Sequence, residues 1–140
     1  MHYRQALIEH VTPLLSAAVP EISGRVGPVR SYRRNKSDLP AIEVSVPQSG
    51  DERLDDDEVQ RTASLLIEIF MAEKSGFEAA ANAIAEKVDG VILALNEPWY
   101  WLSASSDLQV ADDGAPVPTT LALTYTLRSY ADRSDPQTVT

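Results

Sequence analysis

Leu39-Pro40-Ala41-Ile42-Glu43-Val44-Ser45-Val46 and Arg61-Thr62-Ala63-Ser64-Leu65-Leu66-Ile67-Glu68-Ile69-Phe70-Met71 flank Gly50-Asp51-Glu52-Arg53-Leu54-Asp55-Asp56-Asp57-Glu58, and this stretch decides the fold. Ile42, Val44 and Val46 alternate with polar residues, which puts them on one face of an extended segment. The second apolar run reads as another, more buried strand. The intervening segment holds six carboxylates in nine positions. Desolvating an unpaired charge is costly, so it reads as an exposed, poorly ordered loop that assembly would tie down.

On the N-terminal side, Tyr3, Leu7, Val11, Leu14, Leu15 and Ala18 recur at helical spacing. Pro13 cannot donate to the carbonyl of Glu9, which predicts a kink or two short helices with Thr12 capping the second. Pro20 closes the element. Val26 and Val29 then suggest a short or edge strand that begins a meander. On the C-terminal side, Phe77, Ala81, Ile84, Val88, Val91, Ile92 and Leu95 trace a second helical stripe, ended by Asn96-Glu97-Pro98. Gly90 inside it suggests a close approach to the sheet.

Trp99-Tyr100-Trp101 begins a further strand, in which alternation would set Trp99 and Trp101 on one side and Tyr100 on the other. At a helix-to-strand junction such a cluster reads as a core plug. Thr119–Tyr130 alternates over a long run, with Leu121, Leu123, Tyr125 and Leu127 on one side, as a half-buried antiparallel strand does. The predicted class is α+β: a mainly antiparallel, roughly five-stranded sheet packed against an N-terminal helix and a long second helix. It forms one domain over residues 1–131, followed by a flexible tail, 132–140.

The chain has 140 residues, a net charge of −9, two histidines and no cysteine. A missing cysteine excludes disulfides, thiol catalysis and cysteine-ligated zinc. The acidic balance opposes nonspecific phosphate binding, which needs surplus Lys and Arg on the contact surface. No apolar run approaches the roughly 20 residues of a membrane span, and the N-terminal segment lacks a signal peptide's continuous apolar core. The expected setting is a soluble protein compatible with a reducing cytoplasm.

Catalytic signatures are sparse. His2 and His10 lie eight residues apart, beyond the i, i+4 spacing of a helical zinc pair, and read as surface residues. No nucleophile elbow, Walker loop or dinucleotide fingerprint is present. Gly24-Arg25-Val26-Gly27 is too short for a phosphate cradle. The acidic segment offers hard oxygen ligands but neither the EF-hand spacing nor its glycine. A metal-assisted hydrolase built on Asp51, Asp55, Asp57 and Glu58 would need further ligands from strands, for which Glu43 and Glu68 are the candidates. No cofactor is expected.

Charge is unevenly placed: Arg25, Arg30, Arg33, Arg34 and Lys36 fall within twelve residues, shortly before the acidic segment. Solvated loops are the plain explanation. The functional one is a contact between copies, with Arg30, Arg33, Arg34 and Lys36 on one side and Asp51, Glu52, Asp55, Asp56, Asp57 and Glu58 on the other.

A Leu-Pro-Ala-led strand, an acidic turn, a Leu-Ile-Glu-Ile-Phe strand, a helix and a closing Leu123-Thr124-Tyr125-Thr126-Leu127 strand follow one another in that order. This order resembles the tail terminator proteins of long-tailed phages, the lambda minor tail protein U type. Arg30–Lys36 and the Trp-Tyr-Trp cluster have no counterpart in the family pattern. The resemblance implies a non-enzymatic virion protein, assembled in the host cytoplasm, that forms a six-membered ring on the head-proximal end of the tail tube. Such a ring stops tube growth and presents a surface for head–tail joining. Its implied partners are further copies of itself, the tail tube protein and a head completion or connector protein. DNA would only pass through the lumen, and no membrane is involved. Another head–tail connector or neck adaptor is the neighbouring alternative.

If unlike charges set the register of such a ring, Arg33→Glu with Arg34→Glu weakens assembly while the subunit stays folded. Asp55→Lys with Asp56→Lys does the same, and combining the two sets partly restores it. Raising salt from about 0.05 M to 1 M shortens the Debye length from over 10 Å to about 3 Å and mimics the single reversals. Light scattering reads the outcome; equal assembly of all four proteins would leave these charges as solvated loops.

Overall fold

The computed structural model describes residues 3–28, 40–53, 58–71, 77–95, 99–109 and 119–132. In chain order these form α1 (Tyr3–Ala18), a 3-10 turn (Pro20–Arg25), β1 (Val26–Pro28), β2 (Ala41–Arg53), β3 (Glu58–Met71), α2 (Phe77–Ile92), β4 (Tyr100–Gln109) and β5 (Thr119–Asp132). The strands make one sheet in the order β1-β2-β3-β5-β4. The protein is α+β, and its mixed, mostly antiparallel sheet carries both helices on one face.

β1 departs from the expected meander, because it runs parallel to β2, pairing Val26 with Ile42 and Pro28 with Val44. A parallel neighbour needs a crossover of about a dozen residues, and residues 29–40 supply that length. Arg25 secures the junction, its Nε donating to the Pro40 carbonyl at 2.8 Å.

The ladder between β2 and β3 shifts register between Ser45 and Gln48. Pro47 explains the shift: it has no N–H to give the ladder, and a bulge is where a strand tolerates that. The Val46 carbonyl is taken up from outside the sheet by Arg4 of α1, through Nη2 and through Nε at 3.1 Å. Helix and sheet are thereby tied at the irregularity itself. A second tie joins Tyr125 of β5 to α2, its buried hydroxyl donating to Asp89 Oδ1.

α1 is one helix, not two. Pro13 sits on its exposed side, and Thr12 is no cap, its hydroxyl donating back to the Ile8 carbonyl at 2.7 Å. Tyr3, Leu7, Val11 and Leu15 are buried, but Leu14 is exposed and Ala18 half-buried, so the inward stripe is narrower than the sequence suggested. α2 is also shorter than expected: 16 residues, about 24 Å. It ends at Ile92. Leu95 still reaches the core, through a tighter turn in which its N–H donates to the Ile92 carbonyl at 3.1 Å.

Ile42, Val44, Ile67, Ile69, Ile84, Val88, Leu123 and Tyr125 are all buried in one core between sheet and helices, as their spacing predicted. Gly90 is not explained by close approach, because a Cβ added there would meet nothing within 4 Å. Two substitutions therefore move stability in opposite directions. Ile67→Ala costs about 2–5 kcal/mol through the cavity it opens. Gly90→Ala gains about 0.5–1 kcal/mol through backbone entropy alone. Denaturant titration reads both; a destabilised Gly90→Ala would mean that the glycine has a packing role.

Candidate functional site

The hairpin of β2 and β3 carries the acidic segment, and much of that segment is strand. Asp51 pairs with Arg61, Glu52 with Gln60 and Arg53 with Val59, while Glu58 opens β3 opposite Asp132 of β5. The expected loop is thus shorter than Gly50–Glu58. Asp51, Glu52 and Glu58 are exposed, as surface carboxylates usually are. Asp55, Asp56 and Asp57 lie outside the described residues, as do Arg30, Arg33, Arg34 and Lys36. The suggested pairing of these two patches therefore rests on sequence.

Beneath the hairpin lies a residue that the sequence reading passed over. Arg61 is 1% exposed, its guanidinium 4.4 Å from the centroid of the Tyr3 ring and its Nε 3.7 Å from Asp51 Oδ1. Tyr3 in turn packs against Trp99, ring centroids 6.1 Å apart and planes tilted by 31°. A guanidinium over an aromatic face is worth about 0.5–2 kcal/mol. Removing one partner of a buried ion pair costs about 3–5 kcal/mol, an upper bound here because Asp51 is partly solvated. The signal was present in the sequence. Arg61 is in phase with Ala63, Leu65, Ile67 and Ile69, so period-2 alternation already sends it inward.

This cluster splits the aromatic triplet. Trp99 precedes β4 and is buried as a core plug, whereas Trp101 is 44% exposed. They do not share one environment, and the register shift between Trp101 and Ser103 breaks simple alternation just beyond them. β5 lies between β3 and β4, so the outermost strand on that side among the described residues is β4.

On the sheet face away from the helices, Glu43 and Glu68 stand directly opposite each other. Burial, and then the Glu43 carboxylate, push the Glu68 carboxyl above its ordinary value of 4.5. These are the strand carboxylates that a metal-assisted hydrolase would have recruited. Glu68 lies seven positions from Arg61, the partner of Asp51, or about 23 Å along β3. One metal ion cannot span that gap. Among the described residues no three His, Cys, Asp or Glu side chains are grouped to hold a metal, and His10 is exposed. The Tyr125 phenol is pushed well above its ordinary range by burial and by the Asp89 carboxylate, which makes it an anchor and a poor acid.

The raised Glu68 value gives a signed pH dependence. The folded state holds that proton more tightly than the unfolded chain, so the group favours folding below about pH 4.5. That contribution is lost as pH climbs through the raised value, leaving a cost at neutrality. Glu68→Gln should therefore raise Tm at pH 7, with the gain disappearing near pH 4. A gain independent of pH would show that the pair's charge is not the cause.

No protein-family model matches the chain, and neither does any curated protein.

Proposed function

We propose that this chain is a structural virion protein that caps the head-proximal end of a phage tail tube as a ring, ending tube growth and presenting the surface for head–tail joining. The observation that carries this reading is the order of elements. Helix, strand, strand, strand, helix, strand, strand is the sequence α1, β1, β2, β3, α2, β4, β5. The stretches on which the tail terminator resemblance rests fall on β2, the β2–β3 hairpin, β3, α2 and β5.

Two features of the molecule suit a ring. A cyclic assembly needs heterologous contacts, in which two unlike patches on each subunit complement one another. A five-stranded sheet with β1 on one outer side and β4 on the other offers two unlike sides. Net negative charge also suits a lumen through which DNA slides, since like charges keep the duplex from adhering.

Electron microscopy and light scattering of the purified chain across a concentration range test the reading. Closed rings whose population rises with concentration are the expected result. A monomeric mass throughout the range, with no rings on grids, would overturn it.

A further inference from the structure

Ser129 places a hydroxyl where the rest of its strand places mostly hydrocarbon. On the inner side of β5 the residues in phase are Leu121, Leu123, Tyr125 and Leu127, all buried, and the next is Ser129, which is fully buried as well. Tyr125 gives its hydroxyl proton to Asp89. Among the described residues Ser129 Oγ has no hydrogen-bond partner. Buried polar side chains are nearly always satisfied, by protein or by ordered water, because an orphan loses its hydration with nothing in return.

The register supplies polar neighbours. Ser129 stands opposite Arg61 on β3, and Arg61 opposite Asp51 on β2, so the three form one row across the inner face. Directly opposite residues have Cβ atoms about 4.5–5.5 Å apart, which sets Ser129 beside Arg61. On the other side, Arg61 Nε lies 3.7 Å from Asp51 Oδ1. That is ion-pair reach, but it exceeds the roughly 2.7–3.2 Å of an N–H···O hydrogen bond. A polar contact of this length is one that a water bridges.

We propose that this row binds one internal water molecule, which accepts from Arg61 Nε, is hydrogen-bonded to Ser129 Oγ and donates to Asp51 Oδ1. Three polar partners are about what a buried water takes. The chemistry of the row selects it. A guanidinium on one side and a carboxylate on the other leave no net charge to attract an ion, and a donor beside an acceptor calls for a neutral molecule that is both. Size selects it too, since Arg61 and Ser129 are almost wholly buried and the Tyr3 ring covers the guanidinium.

The span is right for a single molecule. Two strand spacings, about 9.6 Å, separate Asp51 from Ser129. Two hydrogen bonds through a water cover about 5.5 Å of that, and the lengths of the two side chains cover the rest. Asp51 is partly exposed, which gives the water a way in from solvent. Once bound, it ties the hairpin of β2 and β3 to β5 from the inside, beneath Tyr3. The inference concerns this chain's interior and is independent of the ring reading.

A crystal structure of the full chain, at a resolution that orders internal waters, tests the site together with thermal melts of Ser129→Ala. The expected density is a water within about 2.7–3.2 Å of Ser129 Oγ and Arg61 Nε, with Asp51 Oδ1 as its third partner. Ser129→Ala takes away one of those partners and should lower Tm by about 3–5 °C. A dry, orphaned hydroxyl has the opposite signature, because alanine would relieve it. A higher Tm for Ser129→Ala, no water joining Ser129 Oγ to Arg61, or a direct bond from Ser129 Oγ to a protein group would each overturn the proposal. If the variant melts as the parent does, the density decides: a water on both atoms sustains the site, and its lack removes it.

Discussion

The unbroken antiparallel pairing of β3 with β5, from Glu58 opposite Asp132 to Met71 opposite Thr119, fixes which side chains of the sheet turn inward, because a slip of one residue would turn the whole set over. Ala63, Leu65, Ile67 and Ile69 on β3 and Leu121, Leu123, Tyr125 and Leu127 on β5 are buried as one two-strand surface. Both helices are shaped to that surface. α1 presents Tyr3, Leu7, Val11 and Leu15 at strict four-residue intervals, and α2 presents Ala81, Ile84, Ala85, Val88 and Ile92. Little of either helix needs to be stable alone, since tertiary burial supplies most of the stability of helices this short. That explains how α1 keeps an interior proline and α2 an open glycine.

The bulge in β2 changes what this frame can do. Before it, Ile42 and Val44 point toward the helices; after it, the inward positions are Ser49 and Asp51, opposite Ala63 and Arg61. One extra residue therefore brings a carboxylate round to the inner face, where it stands beside the buried Arg61 guanidinium. Without the shift, Asp51 would lie on the far face and Arg61 would lose this counter-charge. Pro47 thus has consequences at a distance. It breaks one ladder position, leaves the Val46 carbonyl to Arg4, and sets the phase that joins the hairpin to the Tyr3–Trp99 stack.

How much of this was legible follows from which signals are local. The strand phases of β3 and β5, the buried stripe of α2 and the order of all seven principal elements are written in period and spacing, and they read correctly. The parallel direction of β1 was not, because three residues carry no directional signal and the crossover length is the only clue. The single helix across Pro13 was not, because propensity argues for a break and only the packing of Val11 and Leu15 overrides it. Arg61 was readable from its phase with Ala63, Leu65, Ile67 and Ile69, but the sequence reading gave it no role. The edge position of β4 was hidden for a different reason: strand order within a sheet is a long-range property. The alternation of β5 suggested a half-buried strand without saying which neighbours it has.

Edges and ionisable groups bear differently on the two kinds of function weighed for this chain. Among the described residues the ionisable side chains lie apart: Glu43 and Glu68 on the sheet face away from the helices, Asp89 held by Tyr125, Arg61 held beneath Tyr3. Each has a partner or a packing role that immobilises it. The exposed surfaces are of another kind: the outer strand β4, exposed over residues 101–107, and a hairpin bearing exposed carboxylates. Individual exposed ion pairs are worth only about 0–1 kcal/mol, so neither surface can act through a single contact. Repeated around a closed ring, the same weak contact recurs at every interface, and loss of one subunit breaks two interfaces at once. Weak contacts between complementary sides therefore suit an assembly that closes, where an open chain of the same contacts would fall apart from its ends.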